Sequence, residues 1–331
     1  TGWSPTIVAA TGPATYTAQW SLNSYTITWA ANGGTGGGTN SCNHGAMPTP
    51  VSAGTKTGYT FTGWSPTIVA ATGPATYTAQ WSADTYYVIF NGNGSTGGTM
   101  SNQGIAYGQS ANLSANAYTK TGYNFAGWNT VANGSGTAYA NQASFGPMGT
   151  SNVTLYAQWS AITYNVVFDG NGNTGGSTTS PQVFTYGTAQ NLNANGFTRT
   201  GYTFLGWAVE DPNAESGDFD DQASVQDLTT TQGATVTLYA VWGINSYTIY
   251  FDEQGGSTVA DITQDYGSTV TAPADPTRTG YTFAGWNPAV PSTMPVGGET
   301  CVAQWTKNQS TITFNSAGGS SVSPITQDEG T

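Results

Sequence analysis

Short segments in which apolar and polar residues alternate recur along the chain, with the two-residue period of a half-buried β-strand. In residues 25–29, Tyr25, Ile27 and Trp29 fall on one face, and the two threonines between them fall on the other. The equivalent segments are residues 86–90, 164–168, 247–251 and 311–314. Gly, Pro and β-branched residues interrupt every candidate helix. The pattern therefore predicts a mainly β fold with little helix.

These segments belong to a longer sequence repeat. Residues 1–21 recur letter for letter as residues 62–82. A Gly-Tyr-x-Phe-x-Gly-Trp motif occurs at residues 58–64, 122–128, 201–207 and 280–286. A closing strand with the pattern Ala-x-Trp ends at Trp20, Trp81, Trp159, Trp242 and Trp305. After each closing Trp comes one of the alternating segments, which we call the opening strand.

The order of these motifs predicts six divisions of the chain. Residues 1–21 form the C-terminal half of a repeat, and residues 307–331 form the N-terminal half of another. Four complete repeats lie between them, at residues 22–82, 83–160, 161–243 and 244–306. Because the first residues fall in the middle of a motif, we expect the chain to be part of a longer repetitive protein. In repeats 22–82 and 244–306 the connection from the motif Trp to the closing Trp is short, so we expect a loop there and no helix.

The aromatic residues at fixed motif positions are the predicted core. Tyr59 and Phe61 share one strand face, whereas Trp64 has the opposite parity. Gly63 would permit a β-bulge that turns Trp64 back towards the core. Tryptophan and tyrosine could instead stack on sugars, but a fixed place in every repeat favours packing. The predicted core residues are Trp20, Trp64, Trp81, Trp128, Trp159, Trp207, Trp242, Trp286, Trp305, Tyr59, Phe61, Tyr123, Phe125, Tyr202, Phe204, Tyr281 and Phe283.

Charge is scarce and mostly negative, which limits the possible partners. Only 7% of the 331 residues are charged, and the formal net charge is −12. A chain with 5 basic residues has no patch for phosphates, so nucleic acid is not expected as a partner. No apolar run is long enough to span a bilayer, so no membrane insertion is expected in this segment. Four of the five basic residues precede the Gly-Tyr motif, at Lys56, Lys120, Arg199 and Arg278.

The acidic residues cluster in repeat 161–243, where Asp218, Asp220 and Asp221 are the candidate calcium ligands. Calcium takes several oxygen ligands from one flexible loop. The spacing does not match an EF-hand loop, and a solvated acidic insertion explains the cluster without a metal. No other cofactor is expected.

The remaining reactive side chains do not form a catalytic or metal-binding pattern. Cys42 and His44 are two residues apart, but a zinc site needs about four ligands and His44 is the only histidine. Cys301 takes the place of a closing-strand tyrosine, which predicts a buried thiol. Cys42 is expected in a loop, where it could pair with another chain but not with Cys301. With no nucleophile elbow, phosphate loop or HExxH motif, we expect no enzyme.

The ordered motifs as a whole resemble a known family. The sequence Tyr-x-Val-x-Phe, a glycine-rich turn, Tyr-Gly, Thr-Lys-Thr-Gly-Tyr-x-Phe-x-Gly-Trp and Leu-Tyr-Ala-x-Trp is similar to the Listeria–Bacteroides repeat, the B-repeat of internalin-type surface proteins. The resemblance covers nearly the whole chain. It implies a tandem array of small β-grasp (ubiquitin-like) modules with a short or missing helix, on secreted or wall-anchored bacterial proteins.

Two functions fit a tandem array of this kind. The first is an extracellular structural region, a stalk, fibre or adhesin shaft, whose partners are neighbouring repeats and other copies in a fibre. The alternative is a multivalent array of modules that recognise a host protein or glycan on a cell surface. An avidity array needs the same binding loop in every module. The strands repeat here while the loops diverge, which favours the structural region.

Overall fold

A computed structural model describes residues 2–329, and every regular element in this range is a β-strand. The mainly β prediction is therefore confirmed. The chain forms two compact units, Thr1–Ser160 and Ala161–Thr331, which are described separately below.

The first unit contains thirteen strands, of which the last runs one residue past its end. They are β1 Gly2–Ser4, β2 Thr17–Gln19, β3 Ser24–Ala30, β4 Gly38–Asn43, β5 Tyr59–Ser65, β6 Ala75–Ala83, β7 Thr85–Asn91, β8 Gln103–Ala106, β9 Ala111–Asn112, β10 Tyr123–Asn129, β11 Ala138–Tyr139, β12 Ser144–Phe145 and β13 Val153–Ala161.

The second unit contains the remaining strands. They are β14 Thr163–Asp169, β15 Gly175–Gly176, β16 Gln182–Thr185, β17 Gln190–Asn191, β18 Phe197–Thr198, β19 Tyr202–Val209, β20 Ser224–Val225, β21 Thr235–Ile244, β22 Ser246–Asp252, β23 Ile262–Asp265, β24 Tyr281–Asn287, β25 Glu299–Lys307, β26 Gln309–Ile312 and β27 Ile325–Asp328.

Each complete repeat contains the same four-stranded mixed sheet. The opening strand pairs with a hairpin partner on one side and, in parallel, with the closing strand on the other. The Gly-Tyr-x-Phe strand pairs with the other edge of the closing strand, and this pairing is antiparallel in β5–β6, β19–β21 and β24–β25. The orders are β4-β3-β6-β5, β8-β7-β13-β10, β16-β14-β21-β19 and β23-β22-β25-β24, with β11 added beside β10. The opening and closing strands are thus neighbours in all four complete repeats. The β-grasp assignment stays a prediction; every regular element of residues 2–329 is a strand.

A β-bulge in the Gly-Tyr-x-Phe strand brings the motif tryptophan to the core face, as the glycine predicted. In β5 the register shifts between Phe61 and Gly63, so Phe61 lies opposite Trp81 and Trp64 lies opposite Ala79. The same shift occurs in β19 and β24. Gly63 has a φ of +141°, a backbone conformation that side-chain-bearing residues rarely adopt.

The four cores are built from the same ring contacts. The last residue of the opening strand meets the motif tryptophan at centroid distances of 5.0 Å for Trp29–Trp64 and 4.9 Å for Phe168–Trp207. The motif phenylalanine meets the closing tryptophan edge-on, at 5.5 Å for Phe61–Trp81. Edge-on aromatic pairs contribute stabilisation beyond their buried area.

Burial of the motif tryptophan follows the length of the connection. Trp128 and Trp207 are completely buried, and their indole N–H groups have no hydrogen-bond partner among the described residues. In repeat 83–160 the long connection supplies Phe145 and Met148 to the core. Where the connection is short, Trp64 and Trp286 are only half-buried.

Two members of the predicted core are exposed. Trp20 is 88% exposed, because the described part of its half-repeat contains only the two-stranded sheet β1-β2 and offers no facing side chains. Phe61, on the edge strand β5, is 39% exposed. Eleven further members of the predicted core are half-buried: Trp81, Trp159, Trp242, Trp305, Tyr59, Tyr123, Phe125, Tyr202, Phe204, Tyr281 and Phe283.

Candidate functional site: the junctions between repeats

The closing tryptophan of every complete repeat fixes the turn that follows the opening strand. Its indole Nε1–H donates to a backbone carbonyl of that turn, at 2.9 Å from Trp81 to Ala31 and at 2.9 Å from Trp242 to Gly170. Trp159 and Trp305 make the same bond to Gly92 and Glu253, at 3.0 and 2.9 Å. The two ends of each repeat are thereby joined across about fifty residues or more of chain.

The repeated basic residue holds the first tyrosine of the motif in place. Lys56 Nζ lies 4.5 Å from the centroid of the Tyr59 ring, and the Arg278 guanidinium lies 4.0 Å from that of Tyr281. Lys120–Tyr123 and Arg199–Tyr202 form the same cation–π pairs. A cation over an exposed ring is worth roughly 0.5–1 kcal/mol. Four of the five basic side chains are thus used inside their own repeats.

The glycine before this tyrosine contacts residues of the next repeat. We call this contact between two repeats a junction and name it after its glycine. At the Gly58 junction, the Asp84 backbone N–H donates to the Gly58 carbonyl at 2.9 Å. The Asp84 carboxylate accepts a hydrogen bond from Thr60 Oγ1 at 2.6 Å. The Asp84 carbonyl accepts one from the Tyr107 N–H at 2.8 Å. A single linker residue therefore joins both repeats through its backbone and its side chain.

The Tyr107 ring completes the Gly58 junction. It meets the Tyr59 ring edge-on at a centroid distance of 5.6 Å. It also packs directly on Gly58, where an added Cβ would lie 2.2 Å from the ring. Gly58 has a φ of +75°, so both its conformation and its contact with Tyr107 require glycine.

The Gly201 junction in the second unit has the same construction. Asn245 takes the place of Asp84: its N–H donates to the Gly201 carbonyl at 2.9 Å, and its side chain accepts from Thr203 Oγ1 at 2.7 Å. Its carbonyl accepts from the Tyr266 N–H at 2.9 Å. A Cβ on Gly201 would lie 2.1 Å from the Tyr266 ring.

The Gly280 junction keeps the hydrogen bonds but lacks the ring. Asn308 donates its N–H to the Gly280 carbonyl at 3.0 Å and accepts from Thr282 Oγ1 at 2.6 Å. The third bond comes from the N–H of Glu329, at 2.9 Å. Glu329 stands where Tyr107 and Tyr266 stand at the other two junctions.

Residue-level reasoning from the sequence missed the junctions. Their signal is the recurrence of Asp84, Asn245 and Asn308 three residues after a closing tryptophan, together with a Tyr-Gly or Glu-Gly pair some twenty residues later. Both features were visible in the repeat pattern. Their partners lie in the preceding repeat, however, so neither could be given a structural role from local sequence.

The candidate calcium residues do not converge. Asp218, Asp220 and Asp221 are exposed, and two of them accept hydrogen bonds from separate backbone groups. Asp218 Oδ2 accepts from the Val209 N–H, and Asp221 Oδ1 accepts from the Asn195 N–H, both at 2.8 Å. Across residues 2–329, no three His, Cys, Asp or Glu side chains are placed to hold a metal ion.

The expectation that Cys42 lies in a loop is wrong. Cys42 is a buried residue of strand β4, opposite Tyr25, because the alternation of that strand turns its thiol inward. Cys301 is completely buried, as predicted, and burial raises the pKa of its thiol, with a smaller contribution from Glu299. Both thiols are free. His44 Nδ1 lies 3.3 Å from the Tyr25 hydroxyl.

Residues 2–329 contain no helix that is long and apolar enough to cross a lipid bilayer.

Comparison with known proteins identifies the family of these repeats. The Listeria–Bacteroides repeat domain matches four times in tandem, at residues 25–83, 86–158, 164–241 and 247–296. A protein of Evansella cellulosilytica whose name describes a Gly-rich membrane protein is 34% identical over an alignment of 299 residues, which covers 82% of this chain and 33% of that protein. Internalin H of Listeria monocytogenes is 38% identical over 121 residues, 34% of this chain and 20% of that protein.

The chain spans a third or less of the length of these curated relatives. The family match, by contrast, covers most of the chain and follows its repeats in order. The chain therefore belongs to the Listeria–Bacteroides repeat family, which is found in bacterial surface proteins.

Proposed function

We propose that the chain is an extracellular structural repeat region, a stalk, fibre or adhesin shaft, of a large bacterial surface protein, and that it supports adhesion. The observation that carries this proposal is the junction. One linker residue makes three hydrogen bonds at each of three junctions. A region that only tethers a distant domain has no need for such repeated coupling, whereas a shaft does.

The distribution of side chains supports the same proposal. Most of the aromatic residues at the fixed motif positions of the complete repeats pack in the cores, and four of the five basic residues lie over their own tyrosines. The loops that remain differ from repeat to repeat, so they do not present one binding site several times, as an avidity array requires.

Deletion of whole repeats from the parent surface protein tests this function. Joining residue 82 directly to residue 244 removes two repeats but places Asn245 where Asp84 stood, so a complete junction can form. A matched variant carries the same deletion with Asn245→Ala. We expect both to reach the cell surface and to reduce adhesion to target cells. The Asn245→Ala variant, which loses the side-chain bond of the junction but keeps its two backbone bonds, should reduce adhesion further.

The alternative, a multivalent binding array, gives a different result. Isolated chain 1–331 would then bind to the target cells directly, and an excess of it would inhibit adhesion of the bacterium. A structural shaft predicts no saturable binding of the isolated chain. Saturable, competitive binding would overturn the proposal in favour of the array.

A further inference from the structure

The Gly280 junction contains a cleft of about 440 Å³, lined by Thr279, Gly280, Tyr281, Lys307 and Glu329. A Cβ added to Gly280 would meet no atom within 4 Å. The same atom on Gly58 or Gly201 would lie 2.2 or 2.1 Å from a tyrosine ring. The cleft is therefore the place that Tyr107 and Tyr266 occupy at the other junctions.

The surroundings of the cleft have the same geometry as those of the filled junctions. Gly280 has a φ of +78°, close to the +75° of Gly58 and the +77° of Gly201. The three hydrogen bonds of the linker are present. Arg278 covers Tyr281 as Arg199 covers Tyr202, each at 4.0 Å. The aromatic ring is missing, and Lys307 stands where the other junctions have Ala83 and Ile244.

Glu329 does not fill this space because its carboxylate bonds elsewhere. Its Oε1 accepts a hydrogen bond from Ser310 Oγ at 2.9 Å. Ser310 itself stands where the opening strands of other repeats have a tyrosine, at Tyr86 and Tyr247. On the other side of the cleft, Lys307 Nζ forms an ion pair with Asp328 at 3.6 Å.

The chain that follows the junction tyrosine does not occupy this place in the filled junctions. The residue after Tyr107, Gly108, donates its N–H to the Met148 carbonyl at 2.9 Å. Gly267, after Tyr266, donates to the Met294 carbonyl at 3.0 Å. Both bonds lead back into the repeat's own core, so the tyrosine ring is the group that fills the junction.

We propose that the Gly280 cleft is a binding site for a phenol ring, supplied from outside residues 244–329. Two observations determine the ligand class: the ring that fits this place twice in the same chain is tyrosine, and the cleft offers a glycine surface and the Tyr281 ring for contact. Aromatic rings bind such surfaces through buried area and edge-on ring contacts. This inference concerns ligand binding and does not depend on the structural function proposed above.

Titration of the full chain with 4-methylphenol, the side chain of tyrosine, tests the inference. Backbone amide NMR signals of Gly280, Tyr281 and Glu329 should shift and reach saturation in the millimolar range, because so small a ligand has few atoms for contact. The saturated analogue 4-methylcyclohexanol is the control and should bind at least several-fold more weakly. Absence of saturable shifts at these residues would overturn the proposal.

Two substitutions test whether the ligand binds in the Gly280 cleft. Glu329→Tyr should fill the cleft and abolish the shifts while leaving the thermal midpoint unchanged or higher. Tyr266→Glu should open an equivalent cleft and add a second set of shifts around Gly201. Shifts that persist in Glu329→Tyr would place the ligand elsewhere and refute the assignment.

Sedimentation of the chain without added ligand shows whether a second copy of the chain or a separate molecule supplies the ring. If a second copy supplies the ring, the wild-type chain self-associates and Glu329→Tyr reduces that association. If the natural ligand is a separate molecule, the chain stays monomeric while 4-methylphenol still saturates the site. Either result supports the cleft as a phenol site.

Discussion

The substitution Tyr107→Ala tests whether the junction ring couples two repeats. The Tyr107 ring packs on Gly58 and meets Tyr59 edge-on at 5.6 Å. An edge-on pair is worth about 0.5–1.5 kcal/mol beyond its buried area, and the half-burial of the ring adds about 1 kcal/mol. We therefore expect the junction to lose roughly 2 kcal/mol, or about a 30-fold change in its opening equilibrium.

Hydrogen exchange of two amides measures this loss in the intact chain. The Asp84 N–H is bonded to the Gly58 carbonyl, and the Tyr107 N–H is bonded to the Asp84 carbonyl. When the two repeats separate locally, both amides become open to exchange. Their protection factors should fall by about 30-fold in Tyr107→Ala, while amides in the core of either repeat change little.

The matched control is Tyr87→Ala in the same repeat. Tyr87 is 44% exposed and has the opposite strand parity to the buried Val88 and Phe90 of β7. This variant should leave the protection of the Asp84 and Tyr107 amides unchanged. Equal protection in wild type and Tyr107→Ala would refute the coupling, because the ring would then contribute nothing to holding the repeats together.

Three further outcomes follow from the contacts. Trp81→Phe removes the indole N–H that bonds Ala31 and should lower the free energy of unfolding of repeat 22–82 by about 1–2 kcal/mol; Trp20→Phe, in an identical stretch of sequence but exposed, should change nothing in a urea titration. Trp207→Ala should cost its repeat about 3–5 kcal/mol, seen as an early unfolding step in circular dichroism. Burial raises the pKa of the Tyr164 hydroxyl, so the folded chain keeps the proton longer and stability should fall as pH rises above about 10. Tyr164→Phe should show a shallower alkaline decline in thermal midpoint, and an equal decline would contradict this assignment.

Strand parity explains why much of the fold could be predicted from the sequence. A two-residue period assigns each side chain of an opening strand to a face, and Gly63 would permit a bulge that reconciles the opposite parities of Phe61 and Trp64. That bulge is present.

The features that the sequence did not predict depend on distant partners. Whether the Cys42 side chain faces the core depends on the pairing of β4 with β3. Strand β4 was not predicted from the sequence because it directly follows a glycine-rich stretch. Trp20 has the same local sequence as Trp81. Of the two, Trp81 is the one whose indole N–H donates to the turn after an opening strand, at the Ala31 carbonyl. The junctions were missed for the same reason, since their contacts join residues of different repeats.

The most direct test of the coupled-repeat account is a distance distribution between two repeats of the first unit. Spin labels at Thr76→Cys on β6 and Asn124→Cys on β10, both exposed strand positions, report it by double electron–electron resonance. Cys42 and Cys301 are replaced by Ala in this background, so that only the two new thiols carry labels. The account predicts one narrow distribution in the otherwise wild-type chain and a broad one in Tyr107→Ala. A broad distribution already present before Tyr107 is changed would contradict it.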